Sequence, residues 1–125
     1  MSGFSGSAAG APATATASVT VSTGSGSLTS ASGSVKYQLQ GKRVSFQITV
    51  DITTNGTGAT NIGVSGLPWT FAHDCVGSGA RDPRGKAIQF YGQASASAVS
   101  IWNYDNTYPG ATGARLIVCG DAAVN

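Results

Sequence analysis

The sequence predicts an all-β domain, an antiparallel β-sandwich or jelly roll of about eight short strands. Residues 43–52 alternate polar and apolar side chains without exception, which is the pattern of a half-buried strand. Turn signals recur about every ten residues along the chain. Gly, Ser, Thr and Ala dominate the composition, glutamate is absent, and no segment shows a good helical pattern. These observations together favour strands joined by tight turns.

The strands before and at this ladder follow from the same alternation. Residues 17–22 alternate small apolar and hydroxyl side chains, which predicts the first strand. A loop follows, and a short strand is predicted near Leu28. Residues 35–40 alternate again, and Gly41-Lys42 then turns the chain into residues 43–52. This pattern predicts a β-hairpin.

Four more strands are predicted after the hairpin. Asn55-Gly56 ends the ladder strand, because both residues tolerate positive φ. Residues 72–86 carry most of the mid-chain charge and are predicted to form a loop, and residues 103–110 form an aromatic, Asn-rich turn. The four strands are centred on these pairs: Ile62 and Val64, Ile88 and Phe90, Val99 and Ile101, Leu116 and Val118.

The chain of 125 residues has room for one domain. Residues 16–125 are predicted to form it. Residues 1–15 read as an N-terminal arm that anchors the domain to an assembly, with Phe4 as the only large apolar side chain. Phe4 is therefore a candidate anchor for a neighbour's pocket, and an incidental aromatic in a leader is the alternative.

Charge and cysteine content exclude several classes of protein. Only 10% of the residues are charged, and the seven Lys and Arg residues are spread along the chain, so no nucleic-acid-binding patch is predicted. No apolar run approaches the roughly 20 residues that span a bilayer, so no membrane insertion is expected. The N-terminus lacks a signal-peptide pattern, which favours a reducing compartment. Cys75 and Cys119 form no metal-ligand pattern; they are expected to be small buried hydrophobes, and one disulfide stays open.

The residues indicate no enzyme and no cofactor. The nucleophile elbow and the phosphate-binding glycine loops are absent from the sequence. His73 is the only histidine, and it adjoins Asp74 and Cys75. Adjacent side chains on an extended chain point apart, so a Cys–His dyad is disfavoured. The five aspartates are far apart in sequence, whereas a glycosidase needs two converging carboxylates.

An aromatic cluster is the strongest candidate for a binding site. Aromatic side chains offer flat apolar surfaces for a sugar ring, and amides and carboxylates can bond its hydroxyls. Trp69 and Phe71 would extend the cluster if the loops meet. The alternative is that these aromatics close one end of the sandwich or pack at a subunit boundary. The candidate ligand-binding residues are Trp102, Asn103, Tyr104, Asp105, Asn106 and Tyr108.

Five segments, in order and spacing, resemble a β-rich module at the C-terminal tips of bacteriophage tail fibres and related virion proteins. The similarity extends from about Ser18 to Gly120. Fibre chains usually carry a long shaft before the tip, whereas about fifteen residues precede the domain here. The segments are Tyr37-Gln38-Leu39-Gln40-Gly41-Lys42-Arg43-Val44, Ile52-Thr53-Thr54-Asn55-Gly56-Thr57-Gly58, Gly66-Leu67-Pro68, Asn106-Thr107-Tyr108-Pro109-Gly110 and Leu116-Ile117-Val118-Cys119-Gly120.

The resemblance implies a non-enzymatic virion protein. Such modules are typically homotrimers that project from the particle and contact the host surface. We therefore expect a homotrimer on the virion surface, assembled in the host cytoplasm and held by other virion proteins of the fibre, baseplate or capsid. Host cell-surface carbohydrate is the expected external partner. The alternative is a capsid decoration protein that stabilises the head lattice, which the short chain favours.

Overall fold

In a computed structural model, which describes residues 14–82 and 85–125, the chain forms eight antiparallel strands. Within these ranges no helix occurs that could span a bilayer. The all-β class and the antiparallel pairing predicted from the sequence are confirmed. The strands are β1 Ala15–Ser25, β2 Ser30–Gln40, β3 Arg43–Thr54, β4 Ala59–Ser65, β5 Cys75–Asp82, β6 Ile88–Gly92, β7 Val99–Asn103 and β8 Arg115–Ala123.

Strand β3 is the ladder that the alternation predicted. Its apolar side chains are buried from Val44 to Ile52, and its polar side chains face outward. Gly41, at φ 63°, makes the tight turn from β2, and the two strands pair along their whole length from Gln40 opposite Arg43. The other edge of β3 pairs with β8. β3 is therefore a central strand, which explains why its pattern is so regular.

The sheet closes into a barrel, so the predicted sandwich or jelly roll is wrong. The strand order is β1-β2-β3-β8-β5-β6-β7-β4, and β4 pairs back to β1. Two strands, β1 and β5, each pair with one neighbour along their first half and with another along their second half. These two changes of partner close the sheet into a barrel. Residues 15–19 of β1 pair with β2, and residues 20–25 pair with β4. Residues 75–79 of β5 pair with β6, and residues 79–82 pair with β8.

Gly79 lies where β5 changes partners. A Cβ built on Gly79 would stand 2.0 Å from the backbone oxygen of Ile117 in β8. Only glycine lets the two backbones approach this closely, because any other residue would place a carbon on that oxygen. Gly79 therefore permits β5 to reach β8 and close the barrel.

Two local predictions are also wrong. Residues 72–86 contain strand β5, whose inward positions are Cys75, Gly77, Gly79 and Arg81. These residues form no apolar alternation, so β5 is specified by its neighbours β6 and β8 rather than by its own pattern. Leu28 lies in the loop between β1 and β2, and its side chain packs against the core from that loop.

Side chains fill the interior of the barrel. An aromatic cluster forms one part of the core: Phe46 lies 5.2 Å from Trp69 and 5.8 Å from Phe90 between ring centroids, and Trp69 lies 6.0 Å from Phe71. Eight strands enclose just enough room for side chains or for one small ligand. Because the core residues occupy that room, a ligand would bind on the outer surface of the barrel.

The two ends of the barrel differ in what they carry. β1 starts at Ala15 opposite Tyr37 and finishes at Ser25 opposite Ala59. The turn after β7 lies at the finishing end, where the Tyr108 hydroxyl reaches Asn55. The first described residues therefore lie at the end opposite to the aromatic turn.

Candidate functional site

Strands β5, β6 and β7 place large side chains on the outer surface of the barrel. Phe90 of β6 is buried, so its neighbours Gln89 and Tyr91 face outward. The same alternation in β7 turns Trp102 outward. The strand register sets Trp102 beside Gln89 and sets Tyr91 beside Val76 of β5.

These side chains surround a depression of about 430 Å³, which we call the β5–β7 groove. Val76 is 73% exposed and Tyr91 is 37% exposed. The volume is within the range of small-ligand sites, about 300–1,000 Å³. The groove crosses three adjacent strands, β5, β6 and β7, so it is about 10 Å wide, which is two strand spacings. The groove is lined by Val76, Gly77, Gln89, Phe90, Tyr91, Trp102 and Asn106.

Gly77 and Phe90 form the floor of the groove. Gly77 has no side chain, and a Cβ there would stand 2.5 Å from the Phe90 ring. The ring of Phe90 therefore packs directly beneath the β5 backbone. The floor is apolar and tightly packed, so it offers a ligand a surface and not a deeper cavity.

Two amides form the polar side of the groove. Gln89 Nε2 donates a hydrogen bond of 3.0 Å to Asn106 Oδ1. Each amide carries one carbonyl and one NH₂ group. Among the described residues, the Gln89 carbonyl and the Asn106 NH₂ group have no other side-chain partner. The pair therefore offers a ligand one acceptor and one donor, close together.

Tyr91 is oriented by Asp74. The hydrogen bond to Asp74 raises the pKa of the Tyr91 hydroxyl, and burial and the negative charge act in the same direction. Asp74 Oδ1 also accepts a hydrogen bond of 2.9 Å from the Ala94 backbone N–H. The raised pKa favours the neutral phenol, which lies beside the Asp74 carboxylate.

The turn after β7 holds Asn106 in the left-handed region, at φ 67°. Asp105 Oδ2 accepts a 2.6 Å hydrogen bond from Lys86, and Asp105 Oδ1 accepts a 2.5 Å bond from the Thr107 hydroxyl. The Lys86 bond and then the Thr107 bond lower the pKa of Asp105 to about 2. The turn is therefore fixed on both sides of Asn106.

The six predicted site residues do not form one platform. Trp102 and Asn106 line the groove. Asp105 is committed to Lys86 beside it. Tyr104 is 64% exposed and does not line the groove. Asn103 faces inward.

Asn103 and Tyr108 hold the turn together. Asn103 is 4% exposed, and its Nδ2 donates to Thr107 Oγ1 at 3.0 Å and to the Tyr108 backbone oxygen at 3.1 Å. The Tyr108 ring packs against the core, and its hydroxyl donates to Asn55 Oδ1 at 2.5 Å. Burial raises the pKa of Tyr108. Both side chains are engaged in internal contacts.

Sequence reasoning missed Val76, Gln89 and Tyr91. Gln89 and Tyr91 could have been found, because they alternate with the predicted core residues of β6. Val76 could not, since it lies in the segment predicted as a loop. Trp69 and Phe71, proposed as extensions of the aromatic cluster, are buried in the core.

His73 and Cys75 line a second depression of about 330 Å³, together with Arg43, Asp74 and Asp121. Burial and then the charge of Asp121 raise the pKa of the Cys75 thiol. This shift is opposite to that of an activated cysteine nucleophile. In the described part of the chain, no three metal-ligating side chains lie close enough together to hold a metal ion.

The two cysteines are free. Cys75 is half-buried, in line with a small core side chain. Cys119 is exposed, because it occupies an outward position of β8, so its expected burial is wrong. Phe4, the candidate anchor, lies outside the described residues.

No family model, curated protein or solved structure matches the chain.

Proposed function

We propose that the protein is a non-enzymatic binding module that holds a carbohydrate in the β5–β7 groove. The observation that carries this proposal is the outward placement of Trp102 and Tyr91 beside two amides with unused hydrogen-bonding groups. A sugar ring has flat apolar faces and a rim of hydroxyls. Aromatic rings and amides provide matching surfaces for both.

The groove accounts for binding without reaction. Its described lining contains no carboxylate, histidine or thiol that could act on a bound sugar. Asp105, the nearest carboxylate in the sequence to Trp102, is bonded to Lys86 and Thr107. A lectin-like role therefore suits the groove better than a hydrolase, which needs two converging carboxylates.

We propose a virion as the setting, with the domain as a trimeric fibre component. The support is the resemblance of five ordered segments to fibre-tip modules. The polarity of the barrel is compatible with it, since the first described residues and the aromatic turn lie at opposite ends. Such a domain would point the turn outward and the arm toward the particle, and would contact other virion proteins there.

The trimer rests on the resemblance and on avidity. An open sandwich would have edge strands that a trimer could cover. The closed barrel pairs each of its eight strands with two neighbours, so these strands leave no open edge for a trimer to cover. Three copies would still multiply weak contacts through effective concentration.

A capsid decoration protein is the second candidate for an antiparallel all-β domain of this kind. Decoration requires copies on the head lattice, and a fibre component requires fewer copies on the tail. A labelled antibody against the protein, imaged on intact particles, would separate the two. Labelling of the head surface would overturn the fibre assignment.

Replacing Trp102 tests the binding site. Trp102→Ala removes an outward ring and leaves the core intact, so we expect at least about tenfold weaker sugar binding, or about 1.4 kcal/mol, with unchanged stability. Ser100→Ala, on the same face of β7 but outside the lining, is the matched control. Immobilised glycans and isothermal titration provide the measurement.

Two results would contradict the carbohydrate proposal. One is equal binding by the Trp102→Ala variant and the unchanged protein. The other is a trimer in which Trp102 is buried at the subunit contact, because the ring would then be unavailable to a sugar.

A further inference from the structure

We infer that the β5–β7 groove takes a neutral hexopyranose, recognised through two adjacent hydroxyls, and discriminates against acidic sugars. This inference rests on the proposed function, because it names the class of ligand for the same groove.

The described lining of the β5–β7 groove is uncharged. None of the described residues that line the groove carries a formal charge. Among the described residues, the charged side chain that interacts with a lining residue is Asp74, which accepts from Tyr91. A uronic or sialic acid would bring its carboxylate toward Asp74 with no cation in the lining to pair it. Like charges close together disfavour binding, so acidic sugars are selected against.

Of the cations that the structure describes, Lys86 and Arg81 are nearest in sequence to the groove residues, and neither lines the groove. Lys86 lies 2.6 Å from Asp105, and this bond raises the pKa of Lys86. Its charge is therefore offset by Asp105. Arg115 lies 2.6 Å from Asp51 on the β3–β8 face, away from β6 and β7. In the described part of the chain, no cation therefore lines the groove to hold an anionic ligand.

The amide pair of Gln89 and Asn106 can bond hydroxyl groups of a ligand. Among the described residues, no side chain bonds the Gln89 carbonyl oxygen or the Asn106 NH₂ group, so both can meet a ligand. Two adjacent hydroxyls of a hexopyranose can meet this pair, because one hydroxyl donates to the carbonyl while its neighbour accepts from the NH₂ group. A carboxylate only accepts, so it cannot replace the hydroxyl that donates to the Gln89 carbonyl.

The strand register sets the orientation of the sugar ring. Trp102 lies beside Gln89 in the strand register, so a ring held by the amides has the indole next to it. Tyr91 and Val76 continue the apolar surface across the neighbouring strands. The hydroxyls at one edge of the sugar thus meet the amides while its apolar face lies on the side chains.

Asn106→Asp is the decisive variant. Aspartate also tolerates positive φ and can still accept the bond from Gln89 Nε2, but it removes the NH₂ donor. We expect about tenfold weaker binding of neutral hexose oligosaccharides. Asn106→Gly, which also tolerates the turn, should weaken binding similarly, and Ser100→Ala should leave it unchanged.

The experiment compares two probes on the full chain by isothermal titration. The probes are a neutral hexose oligosaccharide and a uronic-acid oligosaccharide of the same linkage, each at low and high salt. We expect the neutral probe to bind at least about tenfold more tightly, with little dependence on salt.

The outcomes separate the inference from the proposed function. If both probes bind equally, or the acidic one more tightly, and Trp102→Ala abolishes both, the neutral-sugar inference is overturned and the carbohydrate site stands. The inference is also overturned if Asn106→Asp binds the neutral probe as well as the unchanged protein does. If neither probe binds, both the inference and the proposed function fail.

Discussion

Tyr104 and Tyr108 show how two residues of one short turn take different roles. Both belong to the predicted aromatic site, and the sequence does not distinguish them. The Tyr108 hydroxyl donates to Asn55 Oδ1 at 2.5 Å and its ring packs on the core. Tyr104 is 64% exposed. Tyr108 therefore joins the turn after β7 to the turn after β3, whereas Tyr104 faces solvent.

The Tyr108→Phe variant tests this difference. It removes the hydroxyl and leaves Asn55 Oδ1 without its partner, so we expect about 1 kcal/mol less stability. Tyr104→Phe is the matched control and should change the stability by less than about 0.5 kcal/mol. Urea unfolding of both variants measures the effect. Equal stabilities for the two variants would show that the Asn55 contact contributes nothing.

Where a strand is recognised in the sequence, the alternation of its residues predicts which side chains point inward and which point outward. The sequence analysis centres a strand on Val99 and Ile101, and the structure buries Ile101. Trp102, the next residue, must then face outward, as it does. Asn103 was predicted to bind the ligand because it carries an amide. In β7, however, it alternates with Trp102 and shares the inward face with Ile101. Parity would have corrected that assignment, and it would have added Gln89 and Tyr91 to the site.

The turn after β7 is an element whose stability depends on a carboxylate. Asp105 has a pKa lowered from 3.8 to about 2 in the folded protein, because Lys86 and Thr107 bond its charged form. A lowered pKa means that the contribution to stability is full above the unfolded value and is lost as the pH falls through the folded value. The window for Asp105 therefore runs from about pH 4 down to about pH 2.

We expect Asp105→Asn to be less stable than the unchanged protein at pH 6, with the difference vanishing near pH 2. The effect should be small and should decrease in high salt, because the pair is exposed. Urea unfolding at pH 6, 4 and 2 measures it. Lys86→Gln is the control and should follow the same window. A difference that persists at pH 2 would assign the effect to something other than the carboxylate charge.

Whole strands differ in how far the sequence specifies them. β3 was predicted with its bounds nearly correct, since it pairs on both sides and buries one complete face. β5 was missed, because its inward positions are mostly small and its outward positions include Val76. The register that makes β5 a strand comes from β6 and β8, which are distant in sequence. No local pattern could report it.

At the scale of the whole molecule, the sequence predicts strands but not closure. A sandwich and this barrel have the same strands and the same alternation. They differ in whether β1 and β5 continue from one set of partners to another. These changes depend on long-range pairing, as between residues 79–82 and 115–118. The hydrophobic pattern is the same in both cases, so it cannot decide between them.

Gly79 provides the test of closure. Gly79→Ala places a carbon on the Ile117 backbone oxygen, which cannot rotate away, so we expect the β5–β8 pairing to weaken and stability to fall by about 2–3 kcal/mol. Gly63→Ala in β4 is the matched control, because its nearest neighbour is the Ser22 hydroxyl, which can rotate. Urea unfolding measures stability, and hydrogen exchange should report faster exchange in residues 79–82. Equal behaviour of both variants would mean that the close approach of β5 to β8 does not hold the barrel closed.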